Sequence, residues 1–304
     1  MRIFVSGATG VIGRRVVPML LAQGHAVTAI AHQSPAPSEI AGATFVPVDL
    51  FDVDALKRAV AGHDAIVNLA THMPSAAWKM VFRSAWRLND RLRREGVANV
   101  VDAALHCEIG TLVQESFALA YPDRGNHWID ERTPLEPAEY NRTVVDAEHA
   151  VARFCASGGK GVVLRFAAFY GPDAMQVRSY ISSLRVGWAA LPGGRDRYIS
   201  SVAHDDAATA VVAALNAPPG AYTVADDEPV LREVYFGSLA RDLGLPPPRF
   251  LPGWATPLFG SVGEAIARSL RLSNRKLRDA TGWAPRFASV RDGWPPMLAQ
   301  MGDA

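Results

Sequence analysis

The chain has 304 residues, 49% of them hydrophobic and 20% charged, enough to bury a large core without disulfides. Its 31 Lys and Arg balance 30 Asp and Glu, leaving a formal charge of +1 and no long-range field to attract nucleic acid or an anionic membrane. The two cysteines, Cys107 and Cys155, lie in helical patterns without metal-ligand spacing. A reduced, cytoplasmic setting and no metal are therefore expected.

In chain order, the first element predicted is a strand at Arg2 to Ser6, which leaves no room for a signal peptide. It runs directly into Ser6-Gly7-Ala8-Thr9-Gly10-Val11-Ile12-Gly13-Arg14-Arg15 and a helical pattern from Val11 to Gln23. Glycines at this spacing between strand and helix let the backbone turn tightly and approach a pyrophosphate at the positive helix end. Gly7, Thr9, Gly10, Val11, Ile12, Gly13 and Arg14 are thus candidate dinucleotide contacts.

The second strand, Ala26 to Ile30, continues as Ala31-His32-Gln33-Ser34, with no carboxylate to hold a ribose 2′-hydroxyl. Arg14 and His32 would instead meet a 2′-phosphate, so the expected cofactor is NADP, with NAD the lesser choice. Further strands are read at Thr44 to Pro47, Ala65 to Asn68, Thr111 to Gln114 and Val162 to Arg165, alternating with helices at Asp52 to Ala61, Ala76 to Cys107 and Tyr140 to Ala156. Near-continuous apolar strands alternating with helices predict an α/β fold, a Rossmann-type doubly wound parallel sheet. On the helix over Ala76 to Cys107, Arg83, Arg87, Arg91 and Arg94 share one face, read as solvated.

Beyond Arg165 the chain breaks at Pro172, Pro192-Gly193-Gly194, Pro218-Pro219-Gly220, Pro246-Pro247-Pro248 and Pro252-Gly253. This texture predicts a dinucleotide-binding domain over 1–170, to which 198–216 returns, and a smaller irregular α/β C-terminal substrate lobe built from 171–197 and 217–304. The longest apolar run, near Ala207 to Leu215, is about half of what a bilayer requires.

Together these pieces resemble the extended short-chain dehydrogenase/reductase family, which contains nucleotide-sugar epimerases, dehydratases and related reductases. The matching residues are the glycine turn, Asp49-Leu50, Asn68-Leu69-Ala70, Gly96-Val97-Ala98-Asn99, Ile129-Asp130-Glu131 with Pro134, Arg165 with Tyr170-Gly171-Pro172, Val202 with His204 and Asp206, and Ser273-Asn274 with Lys276-Leu277 and Gly282-Trp283. They run in order through essentially the whole chain. The resemblance implies that Asp49 and Leu50 lie by the adenine and that Leu69, Ala70, Phe166 and Phe169 also line the cofactor.

The resemblance fails at the chemistry. The family pairs a Tyr with a Lys one helical turn later, and that Lys lowers the Tyr pKa and holds the nicotinamide ribose. Here Tyr140-Asn141-Arg142-Thr143-Val144 keeps the Tyr and has Val for the Lys. The family's Ser or Thr, four residues before a Tyr-Gly pair, falls by count on Phe117 before Tyr121, with Ser116 one residue early and Glu115 the next candidate. Tyr140, Ser116 and Glu115 are therefore the candidate catalytic residues, and Tyr140 also faces the cofactor. His72, Phe117, Tyr121, His127 and Arg178 are candidate substrate contacts.

The leading expectation is an NADP(H)-dependent oxidoreductase that reduces a small carbonyl compound with Tyr140 as proton donor. An epimerase or dehydratase acting on a nucleotide-linked sugar with bound NAD(P) is the second enzyme class, and a catalytically silent cofactor-binding sensor or scaffold is the alternative outside enzymes. The partner expected is a small molecule, with a homodimer left open.

Overall fold

The structure is a computed structural model and describes residues 1–30, 40–74, 77–189 and 191–302. His32 lies outside the described residues. In chain order the main elements are β1 (Arg2–Ser6), α1 (Gly13–Ala22), β2 (Ala26–Ile30), β3 (Thr44–Val46), α2 (Val53–Val60), β4 (Ala65–Asn68), α3 (Arg87–Arg91), α4 (Val97–His106), β5 (Thr111–Phe117), β6 (Trp128–Ile129), α5 (Thr143–Ala156) and β7 (Lys160–Phe166). They continue as β8 (Ala168–Tyr170), α6 (Met175–Arg185), β9 (Tyr198–Ile199), β10 (Ser201–Ala203), α7 (His204–Ala214), β11 (Gly220–Val224), β12 (Val230–Leu231), α8 (Arg232–Asp242), α9 (Gly260–Ala267), β13 (Arg271–Leu272), α10 (Arg275–Thr281) and α11 (Val290–Met301).

Seven strands form one parallel sheet in the order β11-β7-β5-β4-β1-β2-β3. Its strands are apolar on both sides because both sides are covered: α1 and α7 pack together against one face, and α2, α4 and α5 against the other. Strand order reverses between β1 and β4, the crevice where such sheets bind ligands. The expected Rossmann-type fold is therefore present.

Two expectations about the path of the chain need correction. The last strand of the sheet, β11, lies in the stretch assigned by sequence to the lobe; it pairs parallel with β7, Thr223 opposite Arg165. The Pro218-Pro219-Gly220 run that suggests an irregular lobe is the turn that delivers this strand, with Gly220 at φ +140°. Conversely, β9 and β10 pair with β12 and β8 in two-stranded ladders outside the main sheet, although α7 does return and pack on α1.

The helix expected from Ala76 to Cys107 is broken. Short 3₁₀ segments at Ala77–Val81 and Arg83–Trp86 precede α3, with Phe82 extended between them. A π-helical turn, Leu92–Gly96, then joins α3 to α4. A separate aromatic core holds the smaller lobe: the Trp294 ring lies 5.1 Å from both Tyr170 and Tyr235, and Tyr180 packs 5.4 Å from Phe236.

Candidate active site

At the switch point the backbone itself makes the cradle. Gly7 has φ +73°, and a Cβ there would lie 2.6 Å from the carbonyl of Leu69. A Cβ on Gly13 would lie 2.1 Å from the Gly7 oxygen. Only glycine lets β1, the turn and α1 close onto the end of β4 in this way. Gly10 N–H donates to the Gly7 carbonyl at 3.0 Å, and both Thr9 and Gly10 stay exposed at the mouth. Beneath the turn, Ser6 Oγ donates to Asn68 Oδ1 and Asn68 Nδ2 to Gln114 Oε1 at 2.7 Å, which locks β1, β4 and β5 in register. Asn68 Oδ1 also accepts from the Ala70 N–H at 3.3 Å. An exposed glycine-lined concavity at a helix N-terminus suits a dinucleotide pyrophosphate.

The other cofactor candidates fall around this cradle unequally. Asp49 is exposed and accepts from the Phe51 N–H at 3.0 Å, and Leu50 is buried, its carbonyl accepting from Asn99 Nδ2 at 3.0 Å. Phe166 is buried and Phe169 half-buried, their rings 5.3 Å apart. Arg14 is engaged: its guanidinium pairs at 2.6 Å with Asp173, which also holds Arg15.

Tyr140 lies in a 3₁₀ turn, Glu139–Asn141, just ahead of α5. It is 5% exposed and packs with Trp86, ring centroids 4.9 Å apart, in a cluster with Ala138, Val262 and Ala265, bordered by Phe117 and Met80. Burial raises the Tyr140 phenol well above its ordinary range, against the pull of the Arg93 and Arg268 charges. Val144, one turn on, is buried, so the lysine position contributes no charge. Glu115, at the end of β5, is nearly buried and its Oε1 lies 3.7 Å from Arg93 Nε. Burial raises its carboxyl too, with Arg93 opposing.

Ser116 is not part of this group. Its hydroxyl donates at 2.6 Å to Glu148 on α5, whose carboxylate is also held by Arg165 Nε at 2.9 Å and Nη2 at 2.6 Å. Ser116 is thereby spent on the Glu148–Arg165 network, while Glu115 beside it goes to Arg93. Tyr121, expected at the substrate, is fully buried, and its hydroxyl accepts from Arg165 Nη1 at 2.8 Å and lies 3.2 Å from Thr223 Oγ1. It stitches β5, β7 and β11 instead. His127 is exposed beside β6, and Arg178 is exposed on α6. His72 is exposed past the end of β4, and its N–H donates to Asn89 Oδ1 at 3.1 Å.

Sequence reading missed three buried polar residues here: Asn89, Arg93 and Asn141. Asn141 and Asn89 are fully buried, and among the described residues the Asn89 Nδ2 has no hydrogen-bond partner. Asn89 and Arg93, four apart, carry the only available signal, a helical polar stripe inward of the arginine face. Of that outer face, Arg83 pairs with Glu139, Arg91 with Glu95 at 2.7 Å and Arg94 with Asp146 at 3.2 Å.

Residues 3–225 match the sequence model of the NAD dependent epimerase/dehydratase family. The chain belongs to that family. Over 96% of its length it is 35% identical to a 3-diazoavenalumate denitrifying reductase from a Streptomyces species, 99% of which is covered. A 2-alkyl-3-oxoalkanoate reductase of Shewanella oneidensis is 28% identical, with 90% of this chain and 73% of that one covered. Among solved structures, a Thermus thermophilus UDP-glucose 4-epimerase in complex with NAD is 25% identical at TM-score 0.78, all of both chains covered. A human epimerase family protein with NADPH shares the fold at TM-score 0.80 and 20% identity, with 98% of this chain and 99% of that one covered. The family member described here is an NAD(P)-dependent oxidoreductase of the short-chain dehydrogenase/reductase type. Among its described residues no helix is long and apolar enough to cross a membrane.

Proposed function

We propose that this protein is an NADPH-dependent reductase of a small carbonyl compound, with Tyr140 as the proton donor. The observation that carries the reading is the burial of Tyr140 beside a valine at position 144: the phenol is kept protonated, which suits an acid and opposes a base. Epimerase and dehydratase cycles begin by oxidising an alcohol and ask the same group to accept a proton. The reductase names of the two curated relatives agree with the reductive direction.

Gly7, Gly10 and Gly13 would hold the pyrophosphate, with Leu69 and Ala70 at the end of β4 and Phe169 near the nicotinamide half. When bound, the reduced dinucleotide supplies the hydride for the carbonyl carbon. The chain's own part is to exclude water with Trp86, Phe117 and Met80 and to give the Tyr140 proton to the carbonyl oxygen. The product is the alcohol, and the phenolate left behind recovers its proton from solvent. Arg14 and His32 would favour the 2′-phosphate of NADP over NAD.

The test is net oxidation of NADPH with a panel of aldehydes and ketones. Wild type is expected to turn over at least one of them, and Tyr140→Phe to lose about 10²–10⁴ in kcat. NADPH binding without oxidation across the panel, or full activity in Tyr140→Phe, would overturn the reading.

A further inference from the structure

A tyrosine that gives up its proton in a buried box leaves an anion there, and the residue that would offset it one turn along α5 is Val144. Arg142, also on this turn, is half-exposed and pairs with Glu139 at 3.4 Å. The segment facing α5 supplies a different cation. Thr143 Oγ1 donates to Asp90 Oδ1 at 2.9 Å, and Arg94 Nε donates to Asp146 Oδ2 at 3.2 Å. These two bonds flank Val144 on α5 and Arg93 opposite, so the turn bearing Arg93 lies against the turn bearing Val144. That turn is the π-helical one, which holds an extra residue and re-aims its side chains relative to α3 without disturbing the packing of α4 on α2 and α5. Arg93 is 6% exposed, on the same helix side as the fully buried Asn89, and faces Glu115 at the end of β5. A buried guanidinium paired with a carboxylate only at 3.7 Å is costly to the fold.

We propose that Arg93 is the positioning residue of the site: presented by the π turn opposite Val144, it supplies the permanent positive charge that a lysine at 144 would supply to Tyr140. Arginine suits the task because its guanidinium keeps its charge over the whole working pH range. The inference rests on the reading of Tyr140 as proton donor. The other charge acting on the phenol is Arg268, whose Nη1 is committed to the carbonyls of Tyr121 and Glu136 at 2.9 and 2.5 Å, while Arg93 itself is partly offset by Glu115. Arg93 and Arg268 both draw the phenol down against burial, Arg93 first.

A fluorinated tyrosine placed at position 140 of the whole protein, followed by fluorine NMR against pH, reads this directly and needs no substrate. Arg93→Met is expected to raise the phenol midpoint by about one unit or more, the range for losing one neighbouring opposite charge. Arg93→Lys is expected to keep it, and adding Val144→Lys to Arg93→Met to bring it back. Should Arg93→Met fail to fold, Arg93→Gln keeps a donor for Glu115 and carries the same expectation. A midpoint that is unmoved in the neutral variant, or that Val144→Lys does not restore, overturns the proposal. With any carbonyl compound reduced by wild type, the neutral variant should lose at least about tenfold in kcat, one pKa unit's worth, with KM within threefold. An inactive wild type with the phenol midpoint still dependent on Arg93 would strike the proposed reaction and leave this inference standing.

Discussion

At the glycine turn the walls are backbone, with Gly7 and Gly13 placed where any side chain would strike the Leu69 or Gly7 carbonyl. At Tyr140, on the same edge of the same sheet, the walls are side chains brought from the segment before α3, the end of β5, the start of α5 and the far helix α9. The first region uses contiguous residues and one helix end; the second needs four separate parts of the chain to meet. A site of the first kind tolerates little change at its glycines and much around them. A site of the second kind can exchange one charged residue for another on a neighbouring element while the fold persists, and the pairing of Val144 with Arg93 has that form.

The sharpest break between the regions is expected from Gly13→Ala. A Cβ 2.1 Å from the Gly7 oxygen forces the turn open, so affinity for NADPH and NADH should fall by about 100-fold or more, the scale of losing a close backbone approach to the pyrophosphate. Calorimetric titration checks this, and the phenol midpoint of a fluorinated Tyr140 should not move. Undiminished binding would mean that the cradle is not set by backbone contact.

Next in size is an effect of pH at a third buried spot, the start of α7. Burial, aided by the Arg15 charge, pushes His204 down to about 4, and among the described residues its Nδ1 has no hydrogen-bond partner. Between its ordinary value of 6.5 and about 4 the unfolded chain binds a proton that the fold refuses. Stability therefore falls as pH drops through that window, by about 3 kcal/mol once below it. Asp206 and Asp226, both raised by burial, act in the opposite sense by taking up protons in the fold. Denaturant melts of wild type and His204→Gln at pH 7 and pH 4.5 separate the two: the variant should lose less on acidification. An equal loss would show that His204 titrates normally.

Smaller still is the expected effect of Arg14→Ala. Loss of one charge-assisted hydrogen bond to a 2′-phosphate should weaken NADPH by about 10- to 100-fold and leave NADH within threefold. Because Asp173 already holds Arg14 at 2.6 Å, the low end of that range is expected. Equal weakening of both cofactors would place Arg14 in the turn's framework rather than in cofactor choice.

The smallest change is predicted for Ser116→Ala, with kcat within about threefold of wild type, since its hydroxyl belongs to the Glu148–Arg165 network and not to the Tyr140 cluster. Its cost should appear in stability, about 1 kcal/mol for one buried hydrogen bond, measured by denaturant unfolding. A large loss of kcat at unchanged stability would return Ser116 to the chemistry.

The sequence by itself determined the parallel sheet, the glycine turn and the family, because strand periodicity and a turn motif are local: each is decided by residues within a few positions of one another. It also exposed the absent lysine at Val144, a departure visible by counting along one helix. Tertiary structure alone decided the rest. β11 joined the sheet through pairing with β7, a contact some 60 residues away in the chain that its Pro218-Pro219-Gly220 flank disguises. Ser116 and Glu115 went to different partners, Glu148 and Arg93, and Tyr121 spent its hydroxyl inside the sheet network. Arg93 became visible only once the π turn set it against α5, because whether a charge is solvated or buried beside a reacting group depends on which distant element covers it, and no local pattern encodes that cover.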